Sequence, residues 1–154
     1  MGAEYSSNAV QTVNPNESVI FTSSPVPCNK GLVRHRDDTG NFLLAGKVHR
    51  NACGTCPQSA NYLVDFGANI AIPTGGTVGE ISLAIVLDGV TIPTTEMIVT
   101  PAAVEQYFNV SDATIAQVWR GCCETLSVKN TSDQPILVQN ANIIFSRPDL
   151  NVTY

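Results

Sequence analysis

No window of this chain places apolar residues every three to four positions between capping residues, and that sets aside the helical fold classes. In their place stand short runs of β-branched and other apolar residues, broken by turn signals about every 8 to 12 residues. The clearest run covers residues 80–87, where Ile81, Leu83, Ile85 and Leu87 alternate with Ser82, Ala84, Val86 and the following Asp88. Asp88-Gly89 then reads as a two-residue hairpin turn into residues 90–92, because both residues tolerate the positive φ that such a turn demands. Val and Ile together outnumber Leu roughly three to one, the bias of side chains standing on a pleated surface.

The same punctuation recurs along the chain. Residues 18–22 form a first run, stopped by Ser23-Ser24-Pro25-Val26-Pro27. Residues 31–36 form a second, and Asp37-Asp38-Thr39-Gly40 turns it into residues 41–48. A long run over 62–72 closes at Pro73-Thr74-Gly75-Gly76. Further runs cover 96–100, 105–110, 114–119, 124–130 and 136–146, and only residues 101–106 are compatible with a helical turn. The expectation is an all-β domain, a jelly-roll β-sandwich of roughly 8–10 antiparallel strands. It occupies residues 18–146, between an N-terminal arm (1–17) and a C-terminal tail (147–154).

Composition narrows the function classes. The 154 residues suffice for one domain with one core. Only 14% are charged, where about 25% is usual. With 13 acidic residues against 8 basic and no Lys/Arg cluster, the net charge of -5 predicts no nucleic-acid partner and no anionic membrane partner. The apolar runs are too short to span a bilayer. The opening Met1-Gly2-Ala3-Glu4-Tyr5-Ser6 has neither the basic nor the apolar region of a signal peptide. The sequons at Asn16, Asn109, Asn130 and Asn151 are therefore expected to stay unglycosylated.

The candidate chemistry is thin. Cys53-Gly54-Thr55-Cys56 has the spacing of a redox motif or half a zinc site, and Cys53 with Cys56 is the candidate disulfide or redox pair. A thioredoxin-like motif needs a following helix, and the flanks here read as loop and strand. Zinc would need two more ligands from Cys28, His35, His49, Cys122 or Cys123. The favoured reading is reduced loop or buried cysteines, with no metal and no cofactor. His35 lies near Asp37 and Asp38, but no nucleophile signature accompanies it, and a solvated or edge-strand histidine beside arginines is expected. The acids are otherwise scattered, and Thr74-Gly75-Gly76-Thr77-Val78-Gly79 lacks the Lys and helix of a phosphate loop. No catalytic residue is assigned, and the expectation is that the chain is not an enzyme.

A small domain exposes much of its surface, and a surface poor in charge is commonly covered by another subunit. Tyr107, Phe108 and Trp119 concentrate the large anchors of one short segment and are the candidate subunit interface.

Two segments carry a resemblance. Residues 76–89, Gly-Thr-Val-Gly-Glu-Ile-Ser-Leu-Ala-Ile-Val-Leu-Asp-Gly, and residues 118–130, Val-Trp-Arg-Gly-Cys-Cys-Glu-Thr-Leu-Ser-Val-Lys-Asn, resemble stretches of trimeric jelly rolls of the tumour necrosis factor and C1q type. The C-terminal domains of bacterial collagen-like glycoproteins are among these. More of the chain resembles small proteins of phages and prophages of gut Firmicutes, encoded near capsid genes. The matching pieces are Met1–Val10, Pro27-Cys28-Asn29-Lys30-Gly31, His35-Arg36, Val99-Thr100-Pro101-Ala102-Ala103-Val104, Arg120-Gly121-Cys122-Cys123 and Val138-Gln139-Asn140-Ala141-Asn142. The resemblance implies a virion structural protein assembled in the bacterial host cytoplasm: a homotrimer that decorates a capsid or joins a head or tail fibre. Its partners would be the major capsid protein or a fibre subunit. A carbohydrate- or host-surface-binding adhesion module is the alternative, and exposure of Trp119 or Tyr107 in a groove favours it.

Overall fold

The computed structural model describes residues 1–28, 30–49, 57–121 and 123–150. Twelve strands form two antiparallel sheets: β1 (Gly2–Ser7), β2 (Gln11–Val13), β3 (Ser23–Val26), β4 (Val33–His35), β5 (Phe42–Ala45), β6 (Ser59–Ala71), β7 (Ile81–Leu87), β8 (Val90–Thr91), β9 (Met97–Val99), β10 (Phe108–Trp119), β11 (Cys123–Asn130) and β12 (Ile136–Ser146). The first sheet runs β10-β6-β12-β1-β3, with β2 also on β12. The second runs β4-β5-β11-β7-β8, with β9 also on β7. The sheets pack face to face as a jelly-roll sandwich. The core between them holds Tyr5, Phe21, Phe42, Phe66 and Phe145 with Ile70, Ile81, Leu83, Ile85 and Leu126. Tyr5, Phe21 and Phe145 meet Phe42 with ring centroids 4.9–5.2 Å apart at tilted or edge-on angles, the arrangement that ring quadrupoles favour.

Ile81, Leu83 and Ile85 face the core as expected, but Ser82, Ala84 and Val86 are buried too, so β7 is covered on both faces. Asp88 (φ 52) and Gly89 (φ 82) supply the two left-handed residues of the hairpin turn, which sets Leu87 opposite Val90. Residues 105–110 and 114–119, expected as two strands, join in the single β10. The reason is its partner: the 13-residue β6 pairs β10 along its length, from Phe108 opposite Ile70 to Trp119 opposite Ser59. Residues 101–106 hold no helix; Glu105 takes φ 59, and its amide donates to the Ile72 carbonyl at 2.8 Å.

The termini differ most from expectation. Residues 1–17 are not an arm, because β1 pairs β12 from Gly2 opposite Ser146 to Ser7 opposite Ala141, and β2 pairs β12 beyond it. Ala3, Tyr5 and Ser7 alternate inward, and one Tyr among small residues is a faint apolar signal. Residues 18–22, expected as a strand, make only the isolated bridges Ser18–Lys129 and Phe21–Thr39. The Gln11 amide stands in for a strand neighbour, accepting from the Ile20 amide at 2.8 Å and donating to its carbonyl at 2.9 Å. Residues 23–26, read as a terminator, are β3, an edge strand on which Pro25 is tolerated. Arg147, expected to open an exposed tail, is wholly buried, and its backbone exchanges hydrogen bonds with Met1.

Candidate self-association face

One surface of the sandwich departs from the usual covering of charge. Side chains of β10, β6, β12 and β1 alternate between the core and the outer face of the first sheet. Its register sets Ile115 (β10) opposite Leu63 (β6), and Leu63 opposite Ser146 (β12). One row further on, Ala113, Asp65, Ile144 and Glu4 stand side by side across four strands. Ile115 is 60% exposed, Trp119 56%, Leu63 38% and Ile144 37%.

The rest of the face is neutral and polar. Asn109 donates to Asn69 at 3.0 Å and Gln117 to Ser59 at 3.0 Å, each across the β10–β6 ladder. Asp65 and Glu4 are the charged side chains among these outward positions, and none of the outward positions of these four strands carries Lys, Arg or His. Two shallow hollows indent it. One, about 300 Å³, is lined by Leu63, Val64, Asp65, Ala113, Thr114 and Ile115. The other, about 310 Å³, reaches Gly67, Ser111 and Asn142. Among the described residues β10 is an edge strand, with one row of its backbone groups outside the ladder.

The three aromatic anchors do not form one cluster. Tyr107 is half-buried just before β10, and desolvation together with Glu105 raises its phenol above the ordinary value. Phe108 opens β10 on the core-side alternation and is 37% exposed, whereas Trp119 ends the strand on the outer face. About 3.3 Å per residue puts the two roughly 36 Å apart. Sequence reasoning did not single out Ile115, Leu63 and Ile144. Their signal is an apolar residue on the polar phase of an alternating strand, visible once the phase is fixed by Tyr62, Val64 and Phe66.

The other candidates resolve as follows. Cys53, Cys56 and Cys122 lie outside the described residues. Cys28 is a half-buried free thiol; burial pushes it up, but the backbone amides of Val33, Lys30, Leu32 and Gly31 outweigh this and hold it below the ordinary thiol value. Among the described residues no group of three His, Cys, Asp or Glu converges to hold a metal ion. His35 lies on β4, an edge strand of the second sheet, half-buried with its ring stacked on Phe42 at 4.3 Å and 17°. Its Nδ1 and Nε2 lie 3.0 and 3.2 Å from the carbonyls of Asn41 and Phe21, so both nitrogens are engaged by backbone. A hollow of about 760 Å³ has Glu80, Glu96 and Asp133 on its rim. Its hydroxyl and amide groups are bonded to one another: Ser82 to Thr131 at 2.6 Å, and Gln134 to both backbone groups of Thr77 at 2.7 and 2.9 Å.

No family model matches the chain, and no curated protein matches it. Solved structures do. The Eiger TNF of S. frugiperda superposes with TM-score 0.66 at 11% identity, over 100% of this chain and 96% of that one. The globular domain of zebrafish complement 1qA protein gives 0.61 at 12%, over 96% of each chain, and murine APRIL 0.58 at 10%, over 96% and 99%. The fold is the tumour necrosis factor/C1q jelly roll. At such identities the likeness speaks to fold alone.

Proposed function

We propose that the chain is a non-enzymatic structural module that forms a homotrimer through the outer face of its first sheet, and that the trimer is a bacteriophage virion component. The observation that carries the self-association is the exposure of Ile115, Trp119, Leu63 and Ile144 on one charge-poor face bounded by the edge strand β10. Stable interfaces cover on the order of 800 Å² per partner. Five strands about 4.8 Å apart, of 4 to 13 residues each at about 3.3 Å, offer a face of roughly 700 Å² before side-chain relief. The face is thus of the right size class. The function is the contact itself, and three linked copies multiply weak attachments to a shell.

The virion assignment, as a capsid decoration or part of a head or tail fibre, rests on the resemblance of the quoted segments to phage and prophage proteins. Its partners would be a major capsid protein or fibre subunit, and its place the virion, after assembly in the bacterial cytoplasm. Because β1 and β2 are built into the sheet, attachment falls to the surfaces and loops of the sandwich rather than to a free N-terminal arm. Mass spectrometry of gradient-purified particles from cells expressing the gene with its neighbours tests this part. The protein is expected in the particle fraction; its presence in the lysate and absence from intact particles overturns the virion assignment.

The second reading is a carbohydrate- or host-surface-binding adhesion module. It is favoured by the 56% exposure of Trp119, a ring able to stack on a sugar.

A further inference from the structure

The second sheet carries a feature that trimer formation does not use. Arg34 on β4 and Arg36 just beyond it are two residues apart, so both side chains leave the same face of the chain, about 7 Å apart at their Cα atoms. Arg34 stands opposite Leu43, and Leu43 opposite Thr125 on β11. With Thr39 and Asn41 these residues line an open hollow of about 360 Å³.

The backbone between the two arginines is fixed. His35 engages the carbonyls of Asn41 and Phe21 and stacks on Phe42, as described above. Thr39 Oγ1 donates to the Arg36 carbonyl at 2.6 Å. Among the described residues neither guanidinium lies within ion-pair distance of a carboxylate, although Asp37 and Asp38 follow directly in the chain. In a protein with 8 Lys and Arg and a net charge of -5, two adjacent arginines held this way and left unneutralised are a local exception.

We propose that this hollow is a binding site for the carboxylate or sulfate groups of an acidic glycan. A guanidinium presents a planar fork of donors that matches the oxygens of either group. Leu43 offers an apolar floor to the carbon face of a sugar ring, and Asn41 and Thr125 line the same hollow with groups able to hydrogen-bond hydroxyls. A nucleic acid fits poorly, since its regularly spaced backbone phosphates demand many basic contacts and the hollow offers two. The site is complete within one copy and lies on the sheet remote from the self-association face. It therefore stands whether or not the chain is a trimer.

The test is biolayer interferometry of the full chain against immobilised polygalacturonate, dextran sulfate, neutral dextran and a thymidine oligonucleotide. The wild type is expected to bind polygalacturonate or dextran sulfate, to ignore neutral dextran, and to bind the oligonucleotide at least about tenfold more weakly. Binding should weaken as sodium chloride is raised severalfold. The Arg34→Gln/Arg36→Gln variant should lose at least about tenfold in affinity with an unchanged melting temperature. Absence of binding to both acidic glycans overturns the proposal. So does binding that salt does not weaken, binding that a folded double variant retains, or oligonucleotide binding as tight as glycan binding.

Discussion

At the residue scale, Asn130 shows how much one buried side chain holds. Its Nδ2 donates to the carbonyls of Val13 at 2.9 Å and Gln134 at 2.8 Å, and its Oδ1 accepts from the Ser132 amide at 2.8 Å. Its own backbone bonds Asn16 and Glu17. One fully buried amide thus ties β2, the end of β11 and the following turn together, and it also keeps the Asn130 sequon inaccessible. Asn130→Ala should destabilise the fold by roughly 2–3 kcal/mol in urea unfolding, because it removes the partner of two carbonyls and an N–H, the Val13 carbonyl among them being buried. Cys28 offers a test of a different kind. The amides around its sulfur hold the thiol below its ordinary value, so its alkylation by iodoacetamide, followed by peptide mass spectrometry, should reach half-maximal rate at a lower pH than a free cysteine does. Equal profiles would contradict this reading of the loop.

At the element scale, the elements reinforce one another where the chain passes closest. Gly40 joins β4 to β5, and a Cβ there would lie 2.5 Å from Ser18 Cβ and 2.6 Å from the Val19 carbonyl. Gly40→Ala should therefore cost about 2 kcal/mol or more, because backbone must move to admit it. Just past β12, the buried Arg147 guanidinium lies 4.9 Å over the Tyr62 ring and is paired through Nε and Nη2 with Asp149 at 3.0 and 2.8 Å. The pairing outweighs burial and holds the Asp149 carboxyl below its ordinary value. The sign follows: this stabilisation is present above the ordinary carboxyl pKa and is lost as pH falls through the lowered, folded value. Asp149 is half exposed, so solvent screens the pair. Asp149→Asn should lower the melting temperature at neutral pH and flatten the acid limb of a melting-temperature profile. An unchanged acid limb would assign the acid sensitivity elsewhere.

The same scale shows what was legible in the sequence. β7, its Asp88-Gly89 turn and β12 were readable because alternation and turn chemistry agree there. β1 was not, since Tyr5 is its one large inward residue and its stability comes from pairing with a strand more than a hundred residues away. The first run, 18–22, looked like a strand through Val19 and Phe21, whose burial is real. Its partners there are single bridges to Lys129 and Thr39 and the Gln11 side-chain amide, which no local pattern encodes.

For the whole molecule, the shortage of charge and the geometry of the face belong together. A chain with 14% charged residues has few to spread over two sheets, and the outer face of the first sheet takes only carboxylates. The sequence pointed to covered surface and to β10 through Trp119. It could not place Leu63 and Ile144 beside Ile115, because that neighbourhood depends on register between distant strands. The most direct measurement is light scattering on the eluting protein at micromolar concentration, for the wild type and for Ile115→Lys. The account predicts three chain masses for the wild type and one for the variant, with melting of the variant still cooperative. A wild-type monomer, or an Ile115→Lys variant that remains a trimer, would contradict it.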